Sequence, residues 1–123
     1  MENGKKKTLV IGASDSPARY SFLALNRLRE QGHPVEAIGA RKARVADVEI
    51  GMEKKAFPDI DTVSIYLNPI RQEEYYDYIL SLHPRRVIFN PGAENEELER
   101  LTREHGIQAM EACTLVLLST GQF

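Results

Sequence analysis

"VIGASDSPARYS", residues 10–21, decides how this chain is to be read. A short apolar run stops at Gly12, small residues follow, Pro17 comes next, and a helical pattern opens. A buried parallel strand running into a helix through a tight turn has this form. Gly12 lets the chain turn off the strand, and a small side chain at Ala13 lets backbone N–H groups approach a ligand. The first N–H groups of the helix and its dipole favour an anion there. Ser14, Ser16 and Ser21 add hydroxyls, and Arg19 adds a fork of donors. Ser16 is the expected N-cap and Pro17 the first helical residue. The second and third glycines of a dinucleotide fingerprint are absent, and an empty βα turn has the same outline.

Working outward, the alternation repeats. "TLVIG" (8–12), "VEAIG" (35–39), "TVSIYL" (62–67), "RVIFN" (86–90) and "IQAME" (107–111) read as strands, with an edge ribbon near Val48 to Ile50. Helices are expected from Pro17 to Gln31, from Pro69 through Leu82, and from Glu94 to His105. The first carries Ala18, Phe22, Leu25 and Leu28 on its inward face, and the second carries Ile70, Tyr75, Tyr78, Ile79 and Leu82. "LREQGHPVEAI" and "TREHGIQAM" use the same helix–glycine–strand joint twice. Strands separated by helices run parallel, so the expected fold is α/β, a Rossmann-like doubly wound, mainly parallel sheet in a three-layer α/β/α arrangement. The expected organisation is one domain over residues 1–123, because no low-complexity linker interrupts the pattern.

Bulk properties narrow the function. The chain has 123 residues, 42% of them hydrophobic and 28% charged, with a formal net charge of −2, so no basic excess signals nucleic acid. Cys113 is the single cysteine, which excludes an internal disulfide, and no zinc ligand set appears. No apolar stretch is long enough to span a membrane and no signal peptide follows the lysines at 5–7, so cytoplasm is the default location. The inventory for catalysis is thin. His33 and His83 precede prolines at the edge away from the expected ligand, His105 ends a helix, and no Ser/His/Asp set, paired carboxylates or P-loop occurs.

In a doubly wound sheet, ligands sit at the carboxyl ends of the strands. Strand two ends in "GARKAR", with Arg41, Lys42 and Arg44 where an NAD site would carry an acid. That end suits a ribose bearing an extra phosphate, either the 2′-phosphate of NADP or the 3′-phosphate of coenzyme A, or it is a solvated basic loop. Leu67, Asn68 and Pro69 form either a wall against adenine or a pantetheine arm, or simply a helix start. Asn90, Pro91 and Gly92 offer a further turn on the same crevice. Cys113 falls just past the last strand, placed either to meet a thiol-bearing ligand or to serve as a small buried hydrophobe.

These pieces together resemble the small stand-alone CoA-binding proteins, which are similar to the CoA-binding domain of the succinyl-CoA synthetase alpha subunit. The resemblance rests on "VIGASDSPARYSFLALNRLREQGHPVEAIG", on "GMEKKAFPDI" leading into "DTVSIYL", on "NPGAENEEL" and on "EACTLV", and so covers nearly the whole chain. It implies that coenzyme A, or an acyl-CoA, is held by its nucleotide end. Gly12, Ala13, Ser14, Pro17, Arg19 and Ser21 would surround the phosphates, and Arg41 and Lys42 would lie near the 3′-phosphate. Leu67, Asn68 and Pro69 would border the adenine or the arm, and Asn90, Pro91 and Gly92 would line the far side. Gly39-Ala40 departs from the asparagine-proline pair of many members, and no phosphohistidine domain follows. Binding is therefore implied and ligase activity is not. The competing expectations are a small NADP-binding oxidoreductase and a ligand-free interaction module. "LVLLSTGQF" would then be the exposed segment, and is otherwise a final packing element or a dimer contact; a homodimer or a partner enzyme is the further partner expected.

Overall fold

The computed structural model describes residues 4–123. Its strands are β1 (Thr8–Ala13), β2 (Val35–Gly39), β3 (Ala43–Val45), β4 (Val48–Gly51), β5 (Thr62–Ile65), β6 (Arg86–Phe89) and β7 (Gln108–Glu111). They form one seven-stranded sheet in the order β3-β4-β2-β1-β5-β6-β7. Every pairing is parallel except β3 with β4, a hairpin whose turn passes through Ala46 at φ 55°. The expected edge ribbon is this hairpin, so the sheet is the doubly wound, mainly parallel one that the alternation predicts.

Alternation along β1 divides the core. Leu9 and Ile11 point into a cluster with Val63, Ile65, Phe89 and Leu98, while Val10 faces Leu25, Leu28, Ala37 and Leu118 on the other side. The helices cover these two faces. α1 (Tyr20–Glu30) and α5 (Thr114–Ser119) pack on the Val10 side. α3 (Tyr76–Leu82) and α4 (Glu96–Glu104) pack on the Leu9 side, contributing Ile79 and Leu98. The C-terminal segment is thus a short helix packed on α1. A bidentate ion pair, Arg29 Nε to Asp47 Oδ1 at 2.8 Å and Nη2 to Oδ2 at 2.9 Å, docks the hairpin turn onto α1.

Two helices differ from their expected form. Arg19 N donates to the Ser16 carbonyl at 3.0 Å, so Pro17 is the second residue of a turn, where its fixed φ fits, and α1 starts only at Tyr20. Ala18 is consequently exposed. The helix expected from Pro69 is broken into α2 (Pro69–Gln72), a 3-10 turn (Glu73–Tyr75) and α3. The break rotates Ile70 outward, 80% exposed, and puts Gln72 wholly inside.

The β1–β2 junction is tight. Register shifts by one residue between Ile11 and Ala13, which pairs Ala13 with Gly39. A Cβ at position 39 would stand 2.3 Å from the Ala13 carbonyl oxygen and 2.9 Å from Ile50 Cγ2. We expect Gly39→Ala to destabilise the fold by about 3 kcal/mol in urea denaturation, because backbone has to move to relieve the clash.

At the opposite edge His33 is buried and accepts a hydrogen bond on Nδ1 from Lys6 N at 2.9 Å. Its ring meets Phe123 edge-on at 4.9 Å, and the Arg86 guanidinium lies 4.3 Å from the centroid of the same phenyl. Burial, then the charges of Lys5, Lys6 and Arg86, lower the His33 pKa against a smaller opposing effect of Asp61. The unfolded chain therefore takes up this proton at a higher pH than the folded one. The stability due to neutral His33 is complete above the ordinary histidine range, about 6.5, and is lost as pH falls through and below it. Between about pH 7 and pH 5 the wild-type melting temperature should fall more than that of His33→Asn, which removes the proton site.

Candidate functional site

β1 stands between β2 and β5, so the chain leaves it in opposite directions along the sheet. Strand order reverses there, and the diverging loops leave a cleft at the carboxyl ends. Its volume is about 450 Å³, and its lining includes Gly12, Ala13, Ser14, Arg19, Arg41 and Leu67. All six were expected from the sequence. The lining also includes Asp15, Met52, Tyr66, Arg71, Glu74 and Tyr75, which were not.

Each bank has a local cause. Gly12 has φ +87°, and a Cβ there would lie 3.1 Å from both Leu67 Cδ2 and the Tyr66 backbone. Glycine at 12 thus lets the β1 loop close against the chain leaving β5. Ser14 Oγ accepts from Ser16 N at 3.0 Å and holds the loop's bend. α1 then begins with no side-chain cap and no acidic residue in its first turn, so its N-terminal N–H groups lack the usual carboxylate or hydroxyl partner. Among the described residues, no ion pair engages Arg19 or Arg71. Arg41 reaches across to Asp15, Nη2 to Oδ1, at 2.6 Å. Glu74 is held by Lys54 at 3.5 Å, and the same ammonium sits 4.7 Å from the Tyr75 ring centroid. The cleft therefore has a polar, cationic end and an apolar side made by Met52, Leu67 and Tyr75.

The other expected site residues stand outside the cleft lining. Pro17 and Lys42 are exposed beside it, while Ser21 is buried on α1. Asn68 spends its side chain capping α2, accepting from Arg71 N at 2.9 Å, and Pro69 opens that helix. Pro91 and Gly92 form an exposed turn in which Gly92 N donates to Glu94 at 2.9 Å. Asn90 is corrected from a crevice donor to an internal strut. It is 1% exposed, donates to Ser64 Oγ and the Ile65 carbonyl at 2.9 Å each, and accepts from Thr114 N at 2.8 Å. Its full set of partners lies inside the protein, because β5, β6 and the start of α5 converge on it. Cys113 is half-buried at the N-cap of α5, near Tyr66.

Gln72 is the positioning residue that the sequence did not reveal. Its Nε2 donates to the carbonyls of Leu67 and Ala93, both at 2.8 Å, and its Oε1 accepts from Asn95 Nδ2 at 2.9 Å. It thereby ties the Leu67 wall to the turn after β6. Asn95 also caps α4 by accepting from Leu98 N at 3.1 Å.

The chain belongs to the CoA binding domain family, whose model matches residues 6–119. The crystal structure of an uncharacterized protein is 48% identical and superposes with a TM-score of 0.95, covering 98% of this chain and all of that one (100%). A hypothetical protein from Pyrococcus horikoshii OT3 has the same fold at 22% identity and TM-score 0.85, over 96% of this chain and 84% of that one. An oxidoreductase from Bacillus cereus shares the fold at 18% identity and TM-score 0.61, over 86% of this chain and 34% of that one. No curated protein matches the chain. Among the described residues no cluster of metal-ligating side chains is present, and no helix is long and apolar enough to cross a membrane.

Tyr66 carries a test of the cleft floor. Its hydroxyl is buried without a hydrogen-bond partner of good geometry, beside the Thr114 and Ser64 hydroxyls, which bond each other at 2.8 Å. Burial pushes the phenol up to about 12. Removing an unsatisfied buried hydroxyl relieves a desolvation cost, so Tyr66→Phe should be as stable as wild type or more stable by about 1 kcal/mol. Thermal denaturation checks this, and a large loss of stability would reveal a partner for the hydroxyl.

Proposed function

We propose that this protein binds coenzyme A, or an acyl-CoA, by its nucleotide end and contributes no chemistry of its own. The observation that carries the reading is the uncapped, acid-free start of α1 opening into a cleft that also holds Arg19 and Arg41. Membership of the CoA binding domain family supports it.

The parts take distinct roles. The diphosphate lies against the Gly12–Ser14 loop and the first N–H groups of α1, with Arg19 closing over it. The 3′-phosphate meets Arg41, with Lys42 beside it at the rim. The adenine rests on the apolar side of Met52, Leu67 and Tyr75. A cleft of about 450 Å³ takes a nucleotide and not a whole coenzyme A, so the pantetheine arm runs out past Asn68-Pro69 and the Pro91-Gly92 turn. Contacts that are mainly phosphate to arginine and to backbone N–H predict affinity that weakens as salt rises.

The reading separates coenzyme A from its nearest competitors in a thermal-shift titration with CoA, dephospho-CoA, acetyl-CoA, NADP and NAD. The midpoint should rise most with CoA or acetyl-CoA, less with dephospho-CoA, and not with NAD. Arg41→Glu should weaken CoA about tenfold or more, because a charge-assisted contact to the phosphomonoester becomes a repulsion, and should weaken dephospho-CoA much less. Equal losses would remove Arg41 from the phosphate site. A shift with NADP alone would replace this reading with the reductase one.

A further inference from the structure

The one carboxylate in the anion-binding half of the cleft is Asp15. Its loop follows β1 and Arg41 follows β2, so the 2.6 Å contact between them spans the cleft mouth. The Arg41 side chain is 71% exposed and that of Asp15 33%, so solvent reaches the pair and it is cheaply broken. The loop does not need Asp15 for its shape. Its bend is held by Ser14 Oγ on Ser16 N and by Arg19 N on the Ser16 carbonyl, and among the described residues the Asp15 side chain has no other hydrogen-bond partner than Arg41. Glu74, the other acid of the lining, belongs to the far side with Lys54.

We propose that Asp15 is a built-in competitor for the phosphate: it occupies Arg41 in the empty cleft, and a ligand phosphate has to displace it. The inference rests on the nucleotide-binding reading above. A phosphate that takes the guanidinium leaves the carboxylate unpaired a few ångströms away. A ligand whose phosphate takes Arg41 therefore carries that penalty, whereas a ligand with no phosphate there leaves the pair intact. The dianion of a phosphomonoester still gains enough from the guanidinium to displace the carboxylate. Asp15 thus lowers the affinity of ligands that carry this phosphate and speeds their release. A residue that only oriented Arg41 would have the opposite effect on affinity when removed.

Calorimetric titration of wild type, Asp15→Asn and Asp15→Ser with CoA, dephospho-CoA, NADP and NAD decides the point, with circular dichroism confirming that both variants fold. Asn is isosteric and neutral, and Ser is small, so agreement between them isolates the charge. Both variants should bind CoA about three- to tenfold tighter, with a smaller gain for dephospho-CoA. In an Arg41→Ala background, where no pair has to be displaced, Asp15→Asn should change the ratio of CoA to dephospho-CoA affinity less than it does with Arg41 present. Unchanged or weaker CoA binding by both variants with Arg41 present overturns the proposal while leaving the CoA reading intact. If wild type instead takes NADP and not CoA, the CoA reading falls. The competitor role then survives only if both variants tighten NADP more than NAD. A wild type that binds none of the four overturns both.

Discussion

The carbonyl of Ala13 occupies the space that a side chain at position 39 would need, and the rest of the cleft follows from that contact. It shifts the register of the central strand pair by one residue at its carboxyl end. The two loops that leave β1 and β2 are thereby brought side by side, with Asp15 on one and Arg41 on the other. On the other side of β1, the absence of a side chain at Gly12 lets the same loop press on Leu67. Glycines at 12 and 39 thus let the β1 loop sit closely between both neighbours, and the opening between them is what a ligand can enter.

A second layer of order is polar and internal. Asn90 joins β5, β6 and the first turn of α5, and Gln72 joins the cleft wall at Leu67 to the turn after β6. Buried amides of this kind favour one arrangement, because any displacement leaves a donor or acceptor without water or partner. The two amides hold up the apolar side of the cleft from behind. That is a different role from touching a ligand, and it accounts for the placement of Asn90 away from the lining.

The sheet was readable because its strands are short apolar runs ending in turn residues, as at Gly12, Gly39 and Pro91-Gly92. The turn after β1 was readable because Gly12-Ala13-Ser14 followed by a helix carries its geometry in its residue types. The opposite wall was not. Its side chains depend on where the segment after Pro69 breaks, and a break from α-helix to 3-10 turn leaves no periodic signature. The apolar period favoured Ile70 inside, whereas tertiary hydrogen bonds draw in Gln72, two polar atoms of which make three bonds that no aliphatic side chain could make. Met52 reaches the cleft from an irregular link, where no pattern assigns a face. Pro17 suits a turn and a first helical residue equally, so only the Arg19 to Ser16 bond separates them.

The sheet's two borders have a bearing on how the protein behaves at high concentration. β3 is three residues long and carries Arg44, paired with Glu49 at 3.1 Å on its neighbour, while β7 is four residues long and exposes Gln108 and Glu111. Each border offers only a short run of unpaired backbone, and charge stands on it. A second sheet laid against either one finds too few bonds to form and a carboxylate or guanidinium to bury. The hairpin that closes one side therefore acts as a guard against strand-by-strand polymerisation, and this leaves a nucleotide-sized cleft free to exchange small molecules in a crowded solution.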